Sequence, residues 1–418
     1  MISKKLIVYY SLLAVPLSII GLPLYIYLPT FYATTVGIDI TTVGLIIFLA
    51  RLTDVFTDPY FGYLSDKSIE YFQSRKPIMV FGSLLLLCSF YALINPNIEF
   101  SKLWLLIFSI LVYIGWSMIN IPYLTWSSEI SKKYEDKTLL NSSRELFAIL
   151  GVLIALLVPY ILKSSLNIQD TLDQLYILFV ALFVPLFFIT LSKIKITTTV
   201  KIEKFNFIKI KNIYNNIYDL KYIQIGYFFN NLANALPATL FLLFIELVIQ
   251  EKDSSGIVLL LYFFSGVIAL PFWYMLSYKI GKKRSWIYSM LLASLVFIFI
   301  PFLGAGDLNA FMIISIVSGL SLGADMAFPT AIQSDLVQKS KKYEKNISGL
   351  LFGIWTMITK LSLSFAVALS FMILGFFNFD STNPTTTSLF VLSFLYGVLP
   401  VLLKLLSILF IIRYNDNK

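Results

Sequence analysis

The chain has 418 residues, 58% hydrophobic and 13% charged, with a formal net charge of +9, one cysteine and no histidine. Soluble domains carry about 25% charged residues, so a water-soluble globule is excluded. Catalysis by Ser-His-Asp or Cys-His and His-ligated metal chemistry are excluded with it, and Cys88 alone makes no disulfide within the chain.

Apolar runs of about 20 residues recur from end to end, which predicts an all-α polytopic membrane protein. Twelve spans are expected, at 6–33, 40–64, 77–95, 103–127, 145–162, 173–192, 222–249, 256–278, 285–303, 308–331, 347–376 and 387–412. Met1-Ile2-Ser3-Lys4-Lys5 leads into a first span too long for a signal peptide, so no cleaved leader is expected. The polar interruption at 193–221, rich in lysine, reads as a cytoplasmic linker with an amphipathic segment near Phe205–Tyr218. It divides the chain into halves at 1–192 and 222–418, each of six spans.

Of the 32 Lys and Arg, only Lys102, Lys163 and Lys252 fall in loops read as external, while Arg51, Arg144, Lys360 and Lys404 lie in spans. The rest gather at the termini and the opposite loops, which places both termini in the cytoplasm of a bacterial-type inner membrane. The positive charge is thus accounted for by orientation, and no nucleic-acid partner is expected.

The halves echo each other. Gly44 to Lys67 runs parallel to Gly256 to Lys279, and Leu22-Pro23 recurs as Leu236-Pro237. Pro59 then matches Pro271, while Asp54 and Asp58 match Gly266 and Leu270. Repeated six-span halves are the architecture of the major facilitator fold. The acid pair belongs to the first half alone.

Ionisable groups inside a span cost roughly 2.5–3.5 kcal/mol each and mark ion or substrate paths. Asp54 and Asp58 are one helical turn apart, so their carboxylates share a face and repel unless a cation or proton lies between them. With the Thr53 or Thr57 hydroxyl they supply the oxygen ligands a hard cation takes. An internal ion pair of Asp54 with Arg51 is the plainer alternative. Pro59 frees a carbonyl one turn back, near Val55, for the cation site or simply bends the helix. Gly62-Tyr63-Leu64-Ser65-Asp66-Lys67 has the spacing of a latch in which Gly62 permits close approach and Asp66 meets a neighbouring helix N-terminus.

Arg144 and Lys360 are the cationic counterparts, the first open to an anchoring role, the second deep enough to face a cavity. Asp325 is expected beside that cavity, paired with Lys360 when no solute is bound. Asn120, Thr125 and Trp126 on span four, and Asn230, Asn231 and Asn234 on span seven, offer amides and an aromatic face of the kind sugars use, or ordinary packing.

Ala50-Arg51-Leu52-Thr53-Asp54-Val55-Phe56-Thr57-Asp58-Pro59 with Gly62 resembles the span-two signature of the glycoside-pentoside-hexuronide:cation symporters, the melibiose permease family. Asn120-Ile121-Pro122-Tyr123, Arg144 and Thr356-Met357-Ile358-Thr359-Lys360 resemble its motifs on spans four, five and eleven. The resemblance implies cation binding at Asp54 and Asp58, and a solute network that includes Arg144 and Lys360. Asn120 stands where the family has an acid shared by the cation and sugar sites, and Ser18 where it has a sugar-binding acid. The first change weakens Na⁺ relative to H⁺, and the second weakens galactoside recognition.

The expected function is therefore cation-coupled symport of a small sugar- or glycoside-like solute by alternating access. The alternative is a proton-coupled exporter or a lysolipid or other non-sugar carrier of the same fold. The expected cation site is Asp54, Asp58, Thr57 and Asn120. The expected solute site is Arg144, Lys360, Asp325, Trp126, Asn120 and Asn234, and the expected latch is Gly62, Asp66 and Lys67. No enzyme activity and no cofactor beyond a coupling Na⁺ or H⁺ is expected, and the protein is read as a monomer in the lipid bilayer.

Overall fold

A computed structural model describes residues 2–415 apart from 22, 23, 25, 26, 162–167, 195, 197–206, 344–346, 378 and 380–383. Every regular element among the described residues is helical. The first span is built from α1 (Lys4–Ser11), α2 (Ala14–Ile19) and α3 (Leu28–Thr34). It is interrupted at Leu12 and Leu13, where the expected span is continuous. Pro16 lacks the N–H that the Leu12 carbonyl would take, and Val15 N–H reaches that carbonyl at 3.3 Å instead.

The following helices are α4 (Ile40–Phe72), α5 (Lys76–Ile94), α6 (Ser101–Ile130), α7 (Tyr134–Ile161) and α8 (Ile168–Lys193). Of the expected linker, 195 and 197–206 lie outside the described residues, and α9 (Phe207–Asn216) covers much of the amphipathic stretch. Then come α10 (Tyr218–Phe244), α11 (Ser255–Ile280), α12 (Lys282–Phe297), α13 (Leu308–Ser340), α14 (Ser348–Phe376), α15 (Thr386–Ser393) and α16 (Leu399–Ile412). A single wide π-turn, Phe394–Val398, joins α15 to α16 within the last span. Pro400 follows it and denies Tyr396 its α-helical donor.

Ten helices among the described residues are long and apolar enough to cross a membrane. With α4 and the broken first span they make the twelve-span bundle of the major facilitator fold. Several helices outrun their apolar stretches. Thus α4 continues to Phe72 and α13 to Ser340, because a helix keeps its backbone bonds in water as well as in lipid and polar side chains cover the added turns.

The chain forms two compact units. The first comprises Met1–Asn216 with Ser334–Met357, the second Ile217–Gln333 with Ile358–Lys418. Lipid gives apolar helices no hydrophobic reason to associate, so close packing and small residues do so. In the first unit a Cβ on Gly82 would lie 2.6 Å from Met118 Cβ and one on Gly115 2.8 Å from Leu86 N, so α5 and α6 meet backbone to backbone. In the second, α10 runs beside α16, and Phe244 stacks on Tyr396 of the π-turn at 4.3 Å and 14°. The Trp273 indole N–H donates to the Leu320 carbonyl at 2.6 Å, tying α11 to α13.

Candidate functional site

Within α4 one stripe is buried and another exposed. Asp54, Asp58, Phe61, Ser65, Asp66 and Ile69 face inward, while Leu45, Phe48, Phe56 and Tyr60 are exposed and supply the lipid-facing side. The helical period puts both acids on the buried stripe, at 5% and 0% exposure. Ser117 of α6 donates its hydroxyl to Asp54 Oδ1 at 3.0 Å. The Thr57 hydroxyl donates to the Asp54 carbonyl at 3.2 Å, and Thr53 turns back to the Ala50 carbonyl at 2.7 Å. Arg51 Nε donates to the Tyr113 hydroxyl at 3.4 Å. The helix runs unbroken through Pro59.

Ser117 was not expected at the site. Its signal was available: it lies three residues before Asn120, hence on the same face of α6. A serine gives no cue of its own, because most membrane-helix serines bond to their own backbone, as Ser83 and Ser89 do.

A second polar group surrounds Arg144. Its Nη2 donates to Glu145 Oε1, while Nη1 has no hydrogen-bond partner among the described residues. Both side chains are buried. Tyr123 donates to the Tyr10 carbonyl at 2.7 Å and Tyr10 returns a bond to the Tyr123 carbonyl at 3.3 Å, fastening α1 to α6 beside the guanidinium. The Ser11 hydroxyl donates to Ser143 at 2.9 Å and fastens α1 to α7. A buried guanidinium nitrogen without an acceptor is costly, and it is the feature an anionic or hydroxylated solute would satisfy. Trp126 is 2% exposed, so its ring presents no open face for a sugar to stack on.

Asp66 meets the start of α14, also in the first unit. Its Oδ1 accepts from Gly349 N–H and its Oδ2 from Leu350 N–H, both at 2.8 Å. Those amides open a helix and carry its positive dipole end. A Cβ on Gly349 would lie 2.5 Å from the Gly62 carbonyl, and one on Gly353 2.5 Å from that of Asp58, so glycines let the two helices touch. The basic partner of Asp66 is Arg75. Lys67 lies over the Tyr71 ring at 5.7 Å. Arg75 bonds Asp66 at 2.7 Å, the Ser65 hydroxyl at 2.7 Å and Glu129 at 2.8 Å. A side chain next in the chain to Asp66 projects about 100° round the helix, away from the contact, whereas Arg75 returns from beyond the left-handed cap at Gln73.

Lys137, buried at the start of α7, donates to Asp335 near the end of α13 at 3.0 Å. Beyond α13, burial holds the Lys341 ammonium below its ordinary value, with Glu129 opposing that shift and Arg75 and Lys137 adding to it.

In the second unit Asp325 does not take Lys360 as its partner. Lys404 of α16 lies 2.7 Å from Asp325 Oδ2. Asn234 donates to the same oxygen at 3.3 Å, and Trp286 and Ser289 of α12 donate to Oδ1 at 3.2 Å each. Spacing along the chain cannot reveal a partner 79 residues away, and Lys404 shares no short motif with Asp325. Lys360 is half-buried on α14, and its neighbour Thr359 shares a 2.9 Å hydrogen bond with Tyr227 of α10.

A twelve-span helical bundle with ionisable groups held inside its spans has the architecture of a secondary active transporter of the major facilitator class. Residues 9–418 match the family described as MFS/sugar transport protein, and the chain belongs to that family. It is 22% identical to an uncharacterized symporter, YnaJ, of Bacillus subtilis, covering 94% of this chain and 88% of that protein. It is also 22% identical to the sodium-dependent lysophosphatidylcholine symporter 1-B of Danio rerio, over 98% and 86%. With the glucuronide carrier protein homolog of Escherichia coli it shares 20% identity, over 84% and 79%. In fold it is similar to a bacterial homologue of the iron transporter ferroportin in its outward-facing state, with a TM-score of 0.74, 12% identity and 98% of each chain covered. It is likewise similar to the transporter FucP in the outward conformation, with a TM-score of 0.73 and 11% identity over 99% and 98%. The chain is an integral, multi-pass membrane protein that carries a small molecule by ion-coupled secondary active transport, and it is not an enzyme.

Proposed function

We propose that a monovalent cation binds at Asp54 and Asp58, assisted by Ser117, Thr57 and Asn120, and drives symport of the solute. The observation that carries this reading is the pair of buried carboxylates one turn apart on α4, with the Ser117 hydroxyl 3.0 Å from Asp54. Two carboxylates and two hydroxyls are a ligand set for Na⁺, and either acid alone serves for H⁺. Relatives named as sodium-dependent support Na⁺. A neutral Asn120 where the melibiose permease family has an acid supports H⁺.

On the solute side, the Arg144 nitrogen without an acceptor and the in-span ammonium of Lys360 support a solute with an anionic group. A hydroxylated, glycoside-like molecule is the first reading. A lysolipid is the second, favoured by relatives named lysophosphatidylcholine symporters that cover 96% or more of the chain. A glucuronide carries a carboxylate and a lysophospholipid a phosphate, so either fits a guanidinium; a sugar ring or an acyl tail separates them. Asp66, clasped by Arg75 and the α14 amides, with Gly62 at the crossing, acts as the latch. Lys137 with Asp335 forms a second clasp. The halves 1–192 and 222–418, joined by 193–221, work as a monomer with both termini in the cytoplasm of an inner membrane. That sidedness is supported by the lysine distribution.

The test is uptake into vesicles reconstituted with the full chain or its Asp54→Asn and Asp58→Asn variants. Radiolabelled lysophosphatidylcholine and p-nitrophenyl glucuronide serve as probes, under a sodium or a proton gradient. The wild type accumulates one probe under one gradient. Both variants lose accumulation and keep exchange of the probe across the membrane. Concentrative uptake at wild-type level by both variants overturns the assignment.

A further inference from the structure

The buried group around Asp325 falls outside the proposed cation site, and its chemistry is that of a cation site already filled. Lys404 Nζ lies 2.7 Å from Asp325 Oδ2 and 3.0 Å from Asn230 Oδ1, so two oxygens from two helices hold it. The other carboxylate oxygen is fixed by Trp286 and Ser289 of α12. Asp325, Lys404, Asn230, Trp286 and Ser289 are all at most 6% exposed. Tyr262 of α11 adds a phenol within electrostatic reach.

Asn230 has given its carbonyl oxygen to the ammonium, and its Nδ2 has no hydrogen-bond partner among the described residues. Leaving a buried amide donor unmet is unfavourable, so the amide is oriented by the cation it faces. The carboxylate accepts from three neutral donors besides the ammonium, so both of its oxygens are held by donors from three other helices. Four helices, α10, α12, α13 and α16, converge on this one negative charge.

We propose that Asp325 and Asn230 form a second monovalent-cation site, in the second unit, and that Lys404 is its permanent, tethered occupant. The site recognises a primary ammonium. Because its occupant cannot leave the chain, this site takes no free ion and adds none to the transport cycle. Asp325 and Asn234 are then a structural anchor and not solute ligands. The inference does not rest on the assignment of Asp54 and Asp58.

The experiment removes the tether and supplies its head group in solution. Thermal melting of the purified full chain is measured for wild type, Lys404→Ala and Asp325→Asn/Lys404→Ala, in ethylammonium chloride or tetramethylammonium chloride at equal ionic strength. Lys404→Ala, left with a buried acid that has lost its partner, melts about 3–6 °C below wild type. Ethylammonium restores most of that loss, while tetramethylammonium, which has no N–H to donate, restores none. The double variant melts above the single one and responds to neither salt. If the single variant does not yield folded protein, recovery of folded protein by the double variant supports the proposal. It is overturned if Lys404→Ala melts like wild type, if both salts act alike on it, or if the double variant is no more stable than the single. A failed cation reading of Asp54 and Asp58 has a separate signature, a wild type whose melting ignores both Na⁺ and pH, which leaves these outcomes untouched.

Discussion

The two units solve the problem of a buried carboxylate differently. In the second, Asp325 has a lysine of its own chain 2.7 Å away and three neutral donors around it, and its electrostatics are complete without anything from solution. In the first, α4 sets two carboxylates a turn apart, Ser117 of α6 donates to one of them, and the Thr57 hydroxyl bonds the Asp54 backbone carbonyl. The first-named arrangement fixes charge, and for the pair on α4 we propose exchange. Asp66 falls with Asp325: Arg75 and two helix-end amides hold it. Fixed pairs keep helices together in lipid, where no hydrophobic force does so, and a site with a mobile counter-charge lets an ion gradient do work on the protein.

The contrast breaks most visibly at α4. Asp54→Asn or Asp58→Asn is expected to reduce gradient-driven accumulation by about 100-fold or more, a shift of about 3 kcal/mol or more in coupling, with melting little changed. The mirror-image result is expected for Asp325. Lys404→Met is expected to cost about 3–5 kcal/mol of stability, read by denaturation or melting, because a buried charge loses its partner. Equal effects of the two classes of variant on melting would erase the distinction.

Gly349→Val probes the fixed acid at Asp66. The added side chain meets the Gly62 carbonyl and the Asp66 carboxylate, and it is expected to cost about 1–3 kcal/mol and to open the contact between α4 and α14. A cysteine pair at Tyr63 and Leu350, followed by cross-linking rate, reports that opening. Ser117→Ala sharpens the exchange site. Loss of a hydrogen bond to a charged group is worth about 1.5 kcal/mol, so the apparent cation affinity is expected to fall about tenfold with the fold intact, as measured by cation-dependent melting.

The smallest effect is expected at Lys341. Burial lowers its pKa, so the folded protein carries that charge at a cost at neutral pH. As pH rises through the depressed value the folded state sheds the proton first, and stability rises until the unfolded chain is neutral too. Lys341→Gln is therefore expected to gain under about 1 kcal/mol at pH 7, and the gain should vanish as pH approaches the ordinary lysine value.

Much of this was legible in the sequence. Apolar runs of membrane length define helices whatever their neighbours, because a backbone in lipid must satisfy its own hydrogen bonds. The four-residue spacing of Asp54 and Asp58 fixes their shared face through helix geometry alone, and Asp66 as an anion at a helix N-terminus follows from its glycine spacing. The tertiary structure decided the partners. Arg75 beside Asp66, Lys404 instead of Lys360, Ser117 beside Asp54 and a covered Trp126 all depend on which distant helix faces which. In a bundle that choice is made by packing of small residues and by charge pairing over long stretches of chain, and no local spacing encodes it.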